Sequence, residues 1–353
     1  MNWQIYTDTN EAISAMEKSC QLAQRSIDIE MFIFTPELAR GTFGKVLLDK
    51  SRGGLDVRLI LDMVGSFDLI GSAEYYSFLE AGIKVTIFNP ISLWRLHNFT
   101  SWYFRNHRKI LVVDGRIAYT GGVNLNRARA ERRDTQVRFE GSLAREAKRA
   151  FDLMWINTKS GKWRPFGLGS VVGDSRFLTH SPHRRERYLL RECIKAITRA
   201  KESINIITPY FVPSLRFTSH LRAAAKRGVV IRILLPSLSD HTLADLAGRS
   251  YIGLMLSAGI RIFVYKPQFL HAKVVTVDDD WSMVSSLNID NLSFLYNYEA
   301  GVMSKDKDLN RQLNEQFAHD LTLSHEIKKV EWNQRPLSDK VLEALSWPIH
   351  FMV

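Results

Sequence analysis

Two short stretches of the chain carry the same set of side chains that can act on a phosphate group. Both fit His-x-Lys-x4-Asp, and in each an Asn follows the Asp after ten residues. The residues are His107, Lys109, Asp114 and Asn124 in the first stretch and His271, Lys273, Asp278 and Asn288 in the second. A neutral imidazole can act as a nucleophile or proton acceptor, while ammonium and amide groups stabilise negative charge on oxygen. The duplication indicates one reaction centre built from a repeated unit.

Each motif is expected to lie at the start of a β-strand. Because side chains alternate between the two faces of a strand, His107 and Lys109 share a face, and the second copy behaves in the same way. Asp114 opens an Asp-Gly turn, and Asp278 occupies the matching turn. We include both Asp residues in the catalytic set as motif members, although the turn position favours a structural anchor over a direct proton carrier.

Small residues precede each Asn and are expected to leave room for a ligand. Gly122 and Ser286 lie two residues before their Asn and therefore share its face. Amides and hydroxyls donate hydrogen bonds, so the predicted phosphate-binding residues are Asn124, Asn288 and Ser286. The first copy has no hydroxyl at the position of Ser286, which predicts unequal roles for the two copies.

Both copies together supply two imidazoles, two ammonium groups and two amides, a set that suits one phosphodiester. One neutral His would attack phosphorus to form a phosphohistidine, while the other gives a proton to the leaving alkoxide and later deprotonates an alcohol or water. Asp134 and Glu299 follow the two Asn, and either could orient an imidazole through its Nδ1. No cofactor or metal is expected, because no acidic cluster has metal-ligand spacing.

The repeat extends beyond the motifs. Ser26–Leu38 resembles Ser203–Leu215, and Ala81–Phe88 resembles Ala258–Tyr265, at an offset of 177 residues that falls to 164 at the two His. Strands alternating with helices predict an α/β fold of two similar halves, each a mixed, mostly parallel sheet flanked by helices, related by a pseudo-twofold and sharing one active site. The predicted domains are residues 1–160 and 161–353. Predicted helices open and close the halves at Asn10–Arg25, Leu143–Trp155, Arg187–Glu202 and Leu309–Leu321.

Composition points to an anionic partner. The 353 residues carry a formal charge of +11, and 45% of them are hydrophobic, which is ample for a packed core. We find no signal peptide and no apolar run long enough to span a bilayer. Two cysteines, Cys20 and Cys193, imply neither a zinc site nor a disulfide framework, although a bridge between them stays open.

The duplicated motif with its downstream Gly/Ser-x-Asn resembles the phospholipase D superfamily, and the resemblance covers nearly the whole chain. Ile207–Pro213, Arg133–Gly141 and Ser285–Glu299 are similar to bacterial cardiolipin synthases of this type. The resemblance implies a phosphatidyltransferase that moves a phosphatidyl group between phospholipids, with His107 as nucleophile and His271 as acid/base. It also implies the shorter branch without transmembrane helices, cytoplasmic and peripheral on the inner face of an anionic membrane containing phosphatidylglycerol or a similar lipid.

The 13 additional residues of the first half hold aromatic and basic side chains directly before His107. Trp94, Trp102, Tyr103 and Phe104 are predicted to contact the membrane and guide the lipid, or else to pack as a lid. The tail Pro336–Val353 starts as an amphipathic helix that packs on the body or lies on a membrane.

Three other functions stay open from the residues alone. The same chemistry would serve a phospholipase D that uses water as acceptor, or a metal-independent nuclease, for which the positive charge is also suited. Intact His, Lys and Asn residues in both copies argue against a catalytically silent lipid-binding protein. The preferred interpretation involves no nucleic acid.

Overall fold

Two α/β halves make up the structure, a computed structural model that describes residues 2–90, 103–126, 131–237 and 242–338. The first half contains β1 (Gln4–Asp8), α1 (Thr9–Gln21), β2 (Ser26–Met31), α2 (Pro36–Arg40), α3 (Thr42–Arg52), β3 (Asp56–Asp62), α4 (Ala73–Glu80), β4 (Lys84–Phe88), β5 (Ile110–Val113), β6 (Ile117–Gly121), β7 (Arg133–Glu140) and α5 (Ser142–Ser160). The predicted boundary at residue 160 coincides with the end of α5 and stays a prediction.

The second half repeats this order with additions. It contains β8 (Val171–Val172), β9 (Ser175–His180), a 3-10 turn (Arg184–Glu186), α6 (Tyr188–Arg199), β10 (Ser203–Ile207), β11 (Phe211–Val212), α7 (Leu215–Lys226), β12 (Val230–Pro236), α8 (Thr242–Ser257), β13 (Arg261–Tyr265), β14 (Val274–Val277), β15 (Trp281–Ser285), β16 (Ile289–Asp290), α9 (Asn291–Leu295), β17 (Glu299–Ser304), α10 (Lys307–Thr322), β18 (Ser324–Ile327) and α11 (Lys329–Asn333).

The two large sheets share one topology. The first has the order β1-β7-β6-β5-β2-β3-β4, and the second contains the same succession as β9-β17-β15-β14-β10-β12-β13, with β8 and β18 added at its edges. The short parallel pair of β11 and β16 matches a single parallel bridge between Phe34 and Leu125 in the first half. The predicted α/β fold of two similar halves is confirmed.

The sheets are mixed, but the expectation that they are mostly parallel is wrong. Only β2-β3-β4 and β10-β12-β13 pair in parallel, and every other pairing between described strands of the large sheets is antiparallel. The parallel strands are joined by helical crossovers, whereas β5 follows β4 without a helix among the described residues and turns directly into β6. Antiparallel pairing is the only arrangement that so short a turn allows.

The opening helices end earlier than their sequence pattern predicts. The N terminus of α1 is capped by Asp8, whose side chain accepts a hydrogen bond from the backbone N–H of Glu11 at 3.0 Å. This helix ends at Gln21 and α6 ends at Arg199, four and three residues before the predicted Arg25 and Glu202. In both halves the backbone amides beyond the helix are bound by the Asp of the motif, as described below.

Three of the four clusters of buried apolar side chains in the described part of the chain lie on the faces of the sheets. Two clusters fill the outer faces of the sheets, one against α1 to α4 and the other against α6 to α8. The third lies between the sheets and includes side chains of α5, α10 and strands of both halves. Cys20 and Cys193 are buried in different outer clusters and are not bonded to each other.

Candidate active site

The two motifs begin just before β5 and β14, at the junction of the halves. All four charged or titratable side chains are nearly inaccessible: His107 is 9% exposed, His271 7%, Lys273 2% and Lys109 0%. Each Lys folds back so that its Nζ donates to the backbone carbonyl of the His two residues earlier, at 2.8 Å for Lys109. The site is therefore a buried cluster of basic groups.

Two backbone bridges cross between the halves next to the imidazoles. Asn106 pairs in parallel with Tyr298, and the N–H of His107 donates to the Tyr298 carbonyl at 2.9 Å. Leu270 pairs in the same way with Arg133, and the N–H of His271 donates to the Arg133 carbonyl at 2.8 Å. The residue before each His is thus joined to the residue before the acid of the opposite half.

Each imidazole is bound by the acid of the other half. Nδ1 of His107 lies 3.0 Å from both carboxyl oxygens of Glu299, and Nδ1 of His271 lies 2.6 Å from Oδ2 of Asp134. This contact leaves Nε2 of each ring as the nitrogen available to a substrate. The sequence predicts an orienting acid but not the crossed pairing, for which no signal exists within either half alone.

The charge states of the two His–acid pairs differ. Burial, reinforced by Lys109 and Lys273, lowers the pKa of His107, and burial with Lys273 lowers the pKa of His271 to about 3. Burial raises the pKa of Glu299 to about 8. Burial alone would also raise the pKa of Asp134, but His271 and Lys273 outweigh it and the pKa is lowered. Both rings are therefore neutral near pH 7, and only His271 lies beside an ionised carboxylate.

Burial also lowers the pKa of the Lys109 ammonium group, to about 7. A phosphodiester anion placed between the lysines would favour their charged form, because opposite charges stabilise each other strongly where water is excluded. The buried lysines therefore suit an anionic substrate.

The small residues before the two Asn have roles other than the predicted ones. A Cβ added to Gly122 would lie 2.0 Å from Oδ1 of Asp134, so the free space at this position is filled by the acid and not by a ligand. The hydroxyl of Ser286 donates to Oε2 of Glu299, which uses its only proton. The prediction that Ser286 donates to the substrate phosphate is corrected accordingly: its hydroxyl holds Glu299.

The two amides lie at equivalent positions, just after β6 and β15. Oδ1 of Asn124 accepts a hydrogen bond from the N–H of Ile33 at 3.3 Å, which directs its NH₂ group away from that backbone. Asn288 is 6% exposed, and its Oδ1 is buried with no hydrogen-bond partner. A buried amide oxygen without a partner costs free energy unless a ligand or water satisfies it.

Asp114 and Asp278 are anchors at the far ends of β5 and β14, away from the imidazoles. The carboxylate of Asp114 accepts hydrogen bonds from the N–H groups of Gln24, Arg25 and Ser26, between 2.7 and 3.2 Å. Asp278 binds three successive N–H groups, from Lys201 to Ser203, in the same way. Their inclusion in the catalytic set is corrected by these contacts, which join each motif strand to the end of the opening helix.

Aromatic rings flank the imidazoles, a feature that the sequence analysis missed. Phe32 meets His107 edge to face with ring centroids 4.9 Å apart, and Phe269 lies 6.0 Å from the ring of His271. Phe32 directly follows β2. Phe269 lies two residues before His271, and this closeness to the motif is the only feature of the sequence that could have indicated its role.

Only part of the predicted lipid-access segment can be placed. Trp94 and Trp102 lie outside the described residues, as does most of the C-terminal tail. Tyr103 is 52% exposed and Phe104 is half-buried. Both rings lie near the ring of Tyr296, with centroid distances of 6.3 Å for Tyr103 and 6.2 Å for Phe104. Over the described part of the chain, no helix is both long and apolar enough to cross a membrane.

Comparison with known families agrees with this geometry. The family described as "Cardiolipin synthase, PLD-like domain" matches residues 17–155 and 193–321, which include both motifs, both Asn and both orienting acids. The chain belongs to this family. The predicted membership of the phospholipase D superfamily, and with it an enzyme of the phosphatidyltransferase type, is confirmed.

Curated relatives extend the likeness over almost the whole chain. "Cardiolipin synthase 1" of Bacillus cereus is 30% identical over 96% of this chain and 70% of its own length. "Major cardiolipin synthase ClsA" of Bacillus subtilis is 30% identical over 97% of this chain and 73% of its own length.

Solved structures share the fold at low identity. A phosphatidylserine synthase from Haemophilus influenzae has a TM-score of 0.76 at 13% identity, covering 99% of this chain and 95% of that one. A polyphosphate kinase from Porphyromonas gingivalis has a TM-score of 0.65 at 12% identity, covering 98% of this chain and 53% of that one. Proteins with different names share this fold, so the reaction has to be inferred from the residues of the site and not from the fold.

Proposed function

We propose that the chain catalyses transphosphatidylation between phospholipids, forming cardiolipin from phosphatidylglycerol. The observation that carries the proposal is the crossed pairing, in which Nδ1 of each imidazole is bound by an acid of the other half beside buried lysines, so that Nε2 of both rings would serve one site. Lys109, Lys273, Asn124 and Asn288 would stabilise the non-bridging oxygens of the phosphodiester. The names of the curated relatives support the same reaction.

In the proposed first step, Nε2 of His107 attacks phosphorus, the bond to the glycerol oxygen breaks, and His271 donates a proton to the departing alkoxide. In the second step, His271 takes the proton of an incoming headgroup hydroxyl, whose oxygen attacks phosphorus and releases His107. His271 is neutral near pH 7 in the free site, and it would take up the proton that it donates when the phosphodiester binds, because the substrate anion and the ionised Asp134 both favour the imidazolium. The family resemblance gives His107 the nucleophilic role.

The products from phosphatidylglycerol vesicles test the reaction. We expect cardiolipin and free glycerol in equal amounts. Phosphatidic acid alone would identify a hydrolase, and cleavage of plasmid DNA without lipid turnover would identify a nuclease.

Single substitutions of the two His test the assigned roles. We expect His107→Ala and His271→Ala each to lower cardiolipin formation by at least about 10³-fold, as for groups that carry nucleophilic and acid–base steps. A phosphatidyl ester of p-nitrophenol, whose leaving group needs no proton, should restore the first step in His271→Ala but not in His107→Ala.

The exposed His325 provides a matched control, since His325→Ala should leave both rates unchanged. Rescue of His107→Ala instead of His271→Ala would reverse the two roles. Near-normal cardiolipin formation in either variant would contradict the shared site.

We further propose that the protein acts peripherally at the inner face of a membrane rich in anionic phospholipid. The net charge of +11 and the exposed ring of Tyr103 beside the site support this location. Sedimentation with vesicles of rising phosphatidylglycerol content should show binding that increases with anionic lipid and weakens with salt.

A further inference from the structure

Three arginines near the start of α6 form a basic cluster that the reaction above does not use. Arg184 and Arg191 are exposed, Arg187 is half-buried, and none of the three pairs with a carboxylate in the described part of the chain. The neighbouring Glu186 turns inward, where it accepts hydrogen bonds from Trp163, Ser181 and the N–H of Phe166. The positive charge of the cluster is therefore not neutralised by the protein.

Two buried nitrogen atoms at this cluster have no hydrogen-bond partner. His180 is fully buried, and its Nε2 lies 3.1 Å from the carbonyl of Phe294 while its Nδ1 is unpartnered. The Nε of Arg187, whose backbone forms a bridge with His180, is also buried without a partner. Burial, followed by Arg187 and Arg191, lowers the pKa of His180 to about 3. Because Nε2 of the neutral His180 ring donates to Phe294, its Nδ1 is an acceptor, and the unsatisfied donor at the cluster is the Nε of Arg187. A buried donor without a partner beside uncompensated positive charge is a feature of an anion site.

The cluster lies next to the catalytic residues. His180 is directly opposite Glu299 in the antiparallel pairing of β9 and β17. Side chains opposite each other in such a pair point to the same face with Cβ atoms about 5 Å apart. Glu299 in turn binds His107. One strand spacing thus separates His180, whose backbone bridges to Arg187, from the pair that is proposed to form the phosphohistidine.

The equivalent helix start in the first half carries acidic residues instead. There the equivalent opening helix, α1, begins with Asp8 as its cap and carries Glu11 in its first turn. The starts of the two opening helices consequently differ in charge, although the imidazoles and lysines are duplicated. Such a difference is useful when two substrates with different tasks bind to one centre.

We propose that Arg184, Arg187 and Arg191 bind the phosphate of the acceptor phospholipid while its headgroup hydroxyl reaches the phosphohistidine. This inference rests on the proposed function and specifies its second substrate as one with its own phosphodiester monoanion. In the transfer step the hydroxyl oxygen bonds to phosphorus, the phosphorus–nitrogen bond of His107 breaks, and the hydroxyl proton passes to His271. The two phosphates of the product are then joined by the three-carbon bridge of one glycerol.

A competition between two acceptors tests this site in a single reaction. Phosphatidylglycerol vesicles in excess deuterated glycerol offer a lipid acceptor, which yields cardiolipin, and a neutral acceptor, which yields deuterated phosphatidylglycerol. Both products arise from the same donor and the same phosphohistidine, and mass spectrometry measures them together. The variant is Arg187→Gln with Arg191→Gln, and the control is Arg216→Gln with Arg222→Gln, two exposed arginines of α7.

We expect the Arg187/Arg191 variant to form cardiolipin roughly 10- to 100-fold more slowly, the effect of losing hydrogen bonds to a charged group, with glycerol exchange unchanged. The control should change neither product. An equal loss of both products would assign the arginines to the donor or to the vesicle surface, and unchanged cardiolipin formation would exclude an acceptor site; either result overturns the inference. If the unmodified protein formed neither product, the proposed function itself would fail.

Discussion

The imidazoles depend on residues that lie far from them in the chain. Glu299 lies 192 residues after His107, and Asp134 lies 137 residues before His271. The acids are also held differently, because Ser286 donates to Glu299 whereas Asp134 fills the space beside Gly122. The two copies of the motif are therefore similar in composition and unequal in chemistry.

The crossed pairing can be detected at single imidazoles. In Glu299→Gln the ¹⁵N resonances of the His107 ring should change while those of His271 stay in place, because the substitution replaces the carboxyl group that contacts Nδ1 of His107 alone. Asp134→Asn should have the opposite effect. NMR of protein labelled at histidine, assigned with the two His→Ala variants, provides the measurement; a response confined to the His of the same half would contradict the pairing.

Gly122 should tolerate no side chain. In Gly122→Ala the added Cβ would meet Asp134 Oδ1 at 2.0 Å and displace the carboxylate from His271. We expect about 1–3 kcal/mol of lost stability from the overpacking and a loss of turnover of roughly 100-fold from the misplaced acid. Chemical denaturation and cardiolipin formation measure the two effects.

Ser286→Ala serves as the comparison for Gly122→Ala, since it removes one hydroxyl without creating a clash. It should cost less activity, roughly 10-fold. Full activity in Gly122→Ala would show that Asp134 is not needed at its observed position.

At the scale of helices and strands, the Asp of each motif fixes where a helix stops and a strand starts. Asp114 has a backbone φ of +54° and Asp278 one of +49°, the left-handed conformation that Asp and Asn tolerate better than most residues. Their carboxylates hold the first amides of β2 and β10. The motif therefore extends its hydrogen bonds to the element that precedes it by about 90 residues in the chain.

Asp114→Ala should destabilise the protein by roughly 1–3 kcal/mol and leave turnover per folded molecule unchanged, because charge-assisted hydrogen bonds are lost far from the imidazoles. Asp114→Asn keeps the backbone conformation and one acceptor, so its loss should be smaller. Urea unfolding and turnover per folded molecule are the measurements. A large fall in turnover without a change in stability would return Asp114 to the catalytic set.

Asp114 also makes the free energy of unfolding depend on pH. Burial opposes the effect, but the N–H groups of Ser26, Gln24 and Arg25 lower the pKa of Asp114 in the folded state. Its contribution to stability is present above the unfolded pKa of about 3.9 and is lost as the pH falls through the lower folded value. Asp114→Asn should thus remove part of the acid sensitivity of the unfolding free energy.

Much of this arrangement of elements could be predicted, because the repeat is visible in the residues. The offset of 177 residues between Ser26 and Ser203 predicts the equivalence of β2 and β10, which the sheet orders confirm. The direction of pairing was mispredicted, since the apolar runs of β5 and β14 are buried on both faces whichever way they pair. The edge strand β1 was not predicted either, as its five residues carry a weak alternation.

At the scale of the whole molecule, a buried ion pair joins the halves beside the site. The guanidinium of Arg133 on β7 contacts Asp320 on α10, with Nη2 2.6 Å from Oδ2, and both residues are buried. The backbone carbonyl of the same Arg133 binds the N–H of His271. The docking of the halves and the position of one imidazole are therefore coupled through one residue.

Asp320→Asn should destabilise the protein by about 3–5 kcal/mol, because it leaves the guanidinium of Arg133 buried without its counter-charge. The exposed pair of Arg311 and Asp308 is the matched control, and Asp308→Asn should leave stability almost unchanged, because exposed ion pairs contribute little. Chemical unfolding measures both. Similar small losses in the two variants would contradict a structural role for the Arg133–Asp320 pair.

The candidate site was predictable in its residues and not in its connections. His107, Lys109, His271 and Lys273 could be named because their types and spacing recur. The partner of each imidazole could not, because it depends on how the two sheets meet, and a pattern within one half carries no information about the other. The contact between the Ser286 hydroxyl and Glu299 could not be predicted for the same reason, because it depends on Glu299 lying against His107 of the other half.

Because each orienting acid belongs to the opposite half, neither half by itself contains a complete His–acid pair. A chain cut in the stretch between α5 and β8 would yield two fragments, each holding an imidazole whose orienting carboxylate had gone with the other piece. Disruption of β17 would then inactivate His107, which lies in the opposite half. Complementation between separately expressed fragments would therefore require both fragments to be intact and to reassemble.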